Sequence, residues 1–150
     1  MKRKTPIDTI MFHCTATPPG REVTSAELDA WHRARNFEPY ITPAGKKVHA
    51  GYHILVHLDG SYERIRPDTE RGQHCQQQNM NNRAVAICYA GGVDNNNRPC
   101  DTRTGAQKKT LLSLARTMRA RYPNARIIGH RDAAPKACPS FDARREYKDI

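Results

Sequence analysis

No apolar run in this sequence of 150 residues approaches a membrane-spanning length: Ile10-Met11-Phe12 and Ile54-Leu55-Val56 are typical, whereas a helix across a bilayer needs about 20 such residues. No membrane span is expected. Behind the basic start Met1-Lys2-Arg3-Lys4, the residues Asp8, Thr9 and His13 interrupt what would be the apolar core of a signal peptide, so the expected location is the cytoplasm unless something releases the chain. The five cysteines, Cys14, Cys75, Cys88, Cys100 and Cys138, include no CxxC pair and are odd in number, which argues against both a disulfide framework and a zinc ribbon. At least one of them has another task. Negative charge is also scarce. Against 25 Lys and Arg stand 15 Asp and Glu, a net charge of +10, which favours encounter with an anionic partner such as nucleic acid or bacterial cell wall. The basic residues are dispersed, and no RNA-recognition motif or basic zipper is visible. A solvated basic surface accounts for them equally well. No repeat, low-complexity tract or linker divides the sequence, and its length suits one core. Residues 1–150 are therefore read as a single domain.

Ile7–Cys14 and Ala84–Ala90 are short, apolar and β-rich, as buried strands are. Gly51–Leu58 and Ser61–Arg66 flank Asp59-Gly60, a hairpin turn signal because both residues tolerate positive φ. Arg126–Gly129 reads as one more strand. Thr24-x-x-Glu27 is a capping box, after which Leu28, Trp31, His32 and Arg35 keep helical spacing. Thr104-x-x-Gln107 opens a second helix, with Leu111, Leu114, Ala115, Met118 and Tyr122 on one face and Pro123 as its stop. A short third helix is expected after Ser140. Phe37–Lys47 and Asp94–Arg103, rich in Pro, Gly, Asn and charge, read as surface loops. Interleaved strands and helices with one antiparallel hairpin predict an α/β fold, a central mixed β-sheet flanked by helices.

Seven histidines raise the question of a metal. His49, His53 and His57 recur every four residues, but on a strand that interval spans about 13 Å, too far for neighbours to share an ion with bonds of about 2 Å. They are read as structural or surface residues. His13 ends a predicted strand; alternation sends it and Cys14 to opposite faces, so at most one should enter a given site. Taken alone, His13 fits a satisfied core histidine as well as a ligand. In Gly129-His130-Arg131-Asp132-Ala133-Ala134-Pro135-Lys136-Ala137-Cys138-Pro139, a second histidine leaves a strand end and a cysteine returns eight residues later. Two histidines and one thiolate would complete the protein part of a catalytic zinc site with an open fourth position.

The segment Ala134-Pro135-Lys136-Ala137-Cys138-Pro139-Ser140-Phe141-Asp142 resembles the C-terminal signature of the zinc-dependent N-acetylmuramoyl-L-alanine amidases of the bacteriophage T-seven-type lysozyme and peptidoglycan recognition protein family. Phe12-His13-Cys14-Thr15-Ala16-Thr17, Trp31-His32, Gly51-Tyr52-His53, Leu58-Asp59-Gly60, Gly72-x-His74 and Gly91-Gly92-Val93-Asp94 resemble the family's other blocks in the same order, covering roughly residues 7 to 148. The resemblance implies the family's mixed sheet with a zinc groove on one side. It carries one zinc ion per chain onto His13, His130 and Cys138, and catalytic roles onto Tyr52 and Lys136. Two departures, Arg131-Asp132 in place of a histidine and an acid, and a longer loop from Glu38 to Ala50, bear on substrate side-chain preference more than on the reaction.

The implied chemistry suits the residues. A phenol with an ordinary pKa of about 10 is a poor base at neutral pH, so Tyr52 is expected to orient by hydrogen bonding, and the charge of Lys136 is suited to an oxyanion. His74 is expected to line the groove and contact glycan or stem peptide, or to be an ordinary loop histidine. The remaining cysteines are read as structural or incidental, Cys88 as core. The resulting expectation is a monomeric peptidoglycan amidase, a phage or prophage endolysin or else a wall-recycling enzyme. Its rivals are a non-catalytic peptidoglycan-binding module, disfavoured by the presence of Cys138, and a basic nucleic-acid- or polymerase-binding protein, for which no specific residues can be named.

Overall fold

Two runs, Thr9–Cys14 (β1) and Ala84–Tyr89 (β6), are buried at every position, the signature of strands covered on both faces rather than on one. In the computed structural model, which describes residues 1–150, they lie side by side in parallel, Thr9 opposite Ala84 and Cys14 opposite Tyr89. Arg126–Gly129 (β7) pairs in parallel with the other edge of β1. Ile54–Val56 (β4) pairs in parallel with β6 and antiparallel with Tyr62–Arg64 (β5). The sheet order is β5-β4-β6-β1-β7, the expected mixed sheet.

Helices cover both faces. Ser25–Ala34 (α1) starts at the Thr24 capping box and buries Leu28 and His32. Leu28 joins Val23, Ala50, Leu55, Cys88 and Ala90 on one face of the sheet, while Met80, from the one-turn helix Met80–Arg83 (α2), packs beside it on Met11 and Ile128. Trp31 stays 37% exposed, under the guanidinium of Arg21. On the opposite face, Gly105–Arg121 (α3) buries Leu111, Leu114, Ala115 and Met118 against Ile10, Phe12 and Ile87. Phe141 and Tyr147, flanking the short helix Ala143–Glu146 (α4), close that layer. Gln107, the reciprocal member of the second capping box, is fully buried, and its Nε2 donates to Ala90 O at 2.9 Å. No helix is long and apolar enough to cross a membrane.

The hairpin strands are shorter than the expected Gly51–Leu58 and Ser61–Arg66. At His53 one backbone bond remains, His53 N donating to Ala86 O at 3.0 Å, while the imidazole takes the place of a carbonyl, Ala86 N donating to His53 Nδ1 at 3.0 Å, and strand pairing proper begins at Ile54. The stretch Phe37–Lys47, read as a loop, contains part of a small antiparallel ribbon, Tyr40–Ile41 (β2) with Lys47–Val48 (β3). Two-residue strands are too short to show period-two patterning.

Candidate metal centre and active-site groove

Because β1 and β7 are parallel and Phe12 pairs with Gly129, the next residue of each strand, His13 and His130, emerges at the same carboxyl edge of the sheet. This is where open α/β sheets place their ligands. His130 opens a 3-10 turn, His130–Asp132, in which Asp132 Oδ2 accepts from Gly129 N at 2.9 Å. The chain then doubles back, with Arg131 N donating to Cys138 O at 2.8 Å. Gly129 must lack a side chain, since a Cβ there would stand 2.7 Å from Pro139 Cδ. Tyr89 OH holds Pro139 O at 2.6 Å and Ser140 Oγ holds Gly92 O at 2.7 Å. The Asp132 side chain is thereby part of the loop's own scaffold.

The outcome is one cluster: donor atoms of His13, His130 and Cys138 lie within 4.8 Å of one another. His13 is fully buried, and its Nδ1 faces Cys138 Sγ at 3.8 Å. His130 Nε2 is buried with no hydrogen-bond partner. Burial holds His13 well below the ordinary histidine range, and burial followed by the charge of Lys136 lowers His130 to about 4. Both rings are therefore neutral, the form that ligates. A hydrogen bond with Cys14, then burial, push the Cys138 thiol up, a bias that a cation at this point would reverse. Two neutral imidazoles, one sulfur and an orphaned ring nitrogen are a set that can hold a metal ion, and the N/S chemistry suits zinc.

Around the cluster lies an open groove of about 440 Å³, bordered among others by Tyr52, His74, Lys136, Arg35 and Phe37. The Tyr52 ring is 5.0 Å from that of His13, and burial, ahead of the nearby cysteine sulfurs, raises its phenol well above the ordinary value. Its position is fixed from α1, where Asp29 Oδ1 accepts from Ala50 N at 3.0 Å and His32 Nδ1 from Gly51 N at 2.8 Å. Asp29 and His32 are one turn apart on the same helix face. Arg66, only 2% exposed, ties the same segment down through Ala50 O and Glu38 O. Lys136 is exposed on the groove wall and takes part in no ion pair. His74 borders the groove and also touches His13, its Nδ1 lying 3.0 Å from His13 Nε2.

Cys14 does point into the core opposite His13, yet it also borders the groove, because Cys138 Sγ reaches the end of β1 and accepts from Cys14 N at 3.3 Å. The series His49, His53, His57 is dispersed: His49 N donates to Asp29, His53 Nε2 contacts Glu70 O at 2.8 Å, and His57 bridges Glu22 and Glu63. Nothing in the sequence alone ties His32 and Asp29 to Tyr52. Their only signals were the Trp31-His32 block and the helical spacing of the two residues.

The sequence matches the N-acetylmuramoyl-L-alanine amidase family over residues 3–141. It is 33% identical over 147 residues to the endolysin of Escherichia phage T7, covering 98% of this chain and 89% of that protein. In architecture it is similar to the endolysin amidase LysCS of Clostridium intestinale, at a TM-score of 0.72 with 24% identity over 95% of this chain and 81% of the other. Drosophila PGRP-LB shares the fold at a TM-score of 0.74 with 15% identity, over 99% of this chain and 84% of that one. With a matching family across most of its length and the family's fold, this chain belongs to the N-acetylmuramoyl-L-alanine amidases.

Proposed function

We propose that the chain cleaves the amide between the lactyl group of N-acetylmuramic acid and L-alanine in peptidoglycan, as a phage or prophage endolysin with one zinc ion on His13, His130 and Cys138. The observation that carries this reading is the convergence of those three donors, with His130 Nε2 buried and unpartnered. Zinc held there supplies Lewis-acid chemistry, polarising a carbonyl and making water acidic enough to ionise near pH 7. The chain's own groups then divide the work. Tyr52, its phenol raised by burial, stays protonated and donates a hydrogen bond that orients the reacting groups. Lys136 places an unpaired ammonium on the groove wall, where it stabilises the negative charge that develops on the amide oxygen. The groove takes the muramoyl-peptide junction, and residues 1–150 act as one catalytic domain and a monomer. The enzyme accumulates on the cytoplasmic side and meets the wall after the membrane is permeabilised, a role supported by its likeness to phage endolysins.

Metal analysis tests the site. The purified chain is expected to hold about one zinc per molecule, removable by a strong chelator together with activity. Replacing His13, His130 or Cys138 by Ala should abolish tight binding, since each is one of three protein ligands. Full zinc occupancy in the Cys138→Ala variant would contradict the assignment.

A further inference from the structure

The ring of His74 is committed to His13 more than to the groove. It meets His13 edge-on, with centroids 4.8 Å apart and planes at 84°. Its backbone is clamped by Asn81, whose Oδ1 accepts from His74 N at 2.7 Å and Cys75 N at 2.9 Å. Its flank rests on Gly72, where a Cβ would stand 2.6 Å from His74 Cδ2. Backbone and ring are thus held so that Nδ1 meets His13 Nε2 at 3.0 Å, while the opposite atom, His74 Nε2, is buried with no partner.

Two neutral imidazoles in such a pair have coupled tautomers. A ring nitrogen that gives its lone pair to a metal carries no proton, and neutral imidazole has only one. His13 Nδ1 faces Cys138, so as a ligand His13 must keep its proton on Nε2 and donate it. The acceptor available is His74 Nδ1, which places the proton of His74 on the unpartnered Nε2. In the opposite arrangement His74 would donate from Nδ1 and His13 would carry its proton on Nδ1, the atom turned toward the site. Ligating histidines ordinarily donate their one ring N–H, on the nitrogen away from the metal, to a carboxylate, a carbonyl or water. Here a second histidine occupies that place.

We infer that His74 is a positioning residue that holds His13 in its ligating tautomer and orientation by accepting the Nε2 proton, and that its loss weakens metal binding before any substrate is present. The inference rests on the metal-site reading above.

The test measures zinc affinity of the full chain without substrate, by competition with a chromophoric chelator. His74→Phe keeps a ring but removes the acceptor, and should bind zinc about 10- to 100-fold more weakly, the scale for losing such a partner. His74→Asn, whose Oδ1 sits near the place of Nδ1, should restore affinity to within about threefold of the parent, as the replacement acceptor serves the same bond. Unchanged zinc affinity in His74→Phe, with a raised KM for a muropeptide, would overturn the inference in favour of a substrate contact. Nitrogen-15 NMR of the zinc-loaded parent provides a readout that needs no variant: the His13 proton is expected on Nε2, and a proton on Nδ1 would overturn the inference. His13→Ala separates the two levels. If it binds zinc as tightly as the parent, the metal-site reading fails; if it loses zinc while His74→Phe does not, only the role of His74 fails.

Discussion

At the scale of one residue, the role proposed for Lys136 rests on its surroundings. Its side chain is exposed on the groove wall, its charge reaches His130, and no carboxylate neutralises it. Lys136→Ala should therefore leave folding and zinc content intact and lower kcat by roughly 10²- to 10³-fold, the scale for one oxyanion-stabilising group. Turnover of a soluble muropeptide checks this, and an unchanged kcat would reduce Lys136 to a surface residue. That such residues meet at one groove was legible because they stand in short, ordered blocks around Cys138, His13 and Tyr52. Those acting through other residues were not. Asp29 and His32 reach Tyr52 through the backbone of Ala50 and Gly51, and no local spacing reveals which backbone a helix side chain will meet. The contact of His74 with His13 likewise spans 61 positions in sequence.

The capped helices and the fully buried strands declare themselves in sequence because capping and hydrophobic patterning are local. α1 and α3 begin at their capping boxes, and Pro123 follows the end of α3. Elements completed by tertiary bonds are less visible, as β2, β3 and the shortened β4 show. The β4–β5 hairpin has such a bond: His57 Nδ1 contacts Glu22 Oε1 at 3.0 Å and its Nε2 contacts Glu63 Oε1 at 2.9 Å. A neutral imidazole donates only one of these bonds, whereas the cation donates both. Burial lowers the pKa of His57, but the hydrogen bonds and charges of Glu22 and Glu63 outweigh it and raise the pKa above the ordinary value. A folded-state pKa above the unfolded value of about 6.5 means the bridge contributes fully below that pH, and its contribution is lost as pH rises through the higher folded value. Thermal unfolding of the parent and His57→Gln should accordingly show a larger gap in Tm at pH 5.5 than at pH 8.5. An identical gap at both would show that the His57 charge contributes nothing to stability.

At the scale of the whole molecule, the parallel arrangement of β1 and β7 converts two distant strand ends into one site, and the Cys138 loop completes it. That convergence follows from topology, which periodicity alone does not specify; the family resemblance supplied it before the structure did. The same sheet edge bears on the kind of bond that is cut. Glycosidases usually need two carboxyl groups facing each other across the sugar bond, about 5 to 9.5 Å apart, whereas no Asp or Glu borders this groove. An amidase and a glycosidase would both clear a cell suspension, so lysis alone does not distinguish them. The direct measurement is product analysis of purified peptidoglycan digested with and without the metal. New α-amino groups on L-alanine, intact glycan strands and no new reducing ends are expected, all dependent on the metal. New reducing sugar ends without free L-alanine amines would contradict amidase cleavage by this site, together with the roles proposed for Tyr52 and Lys136.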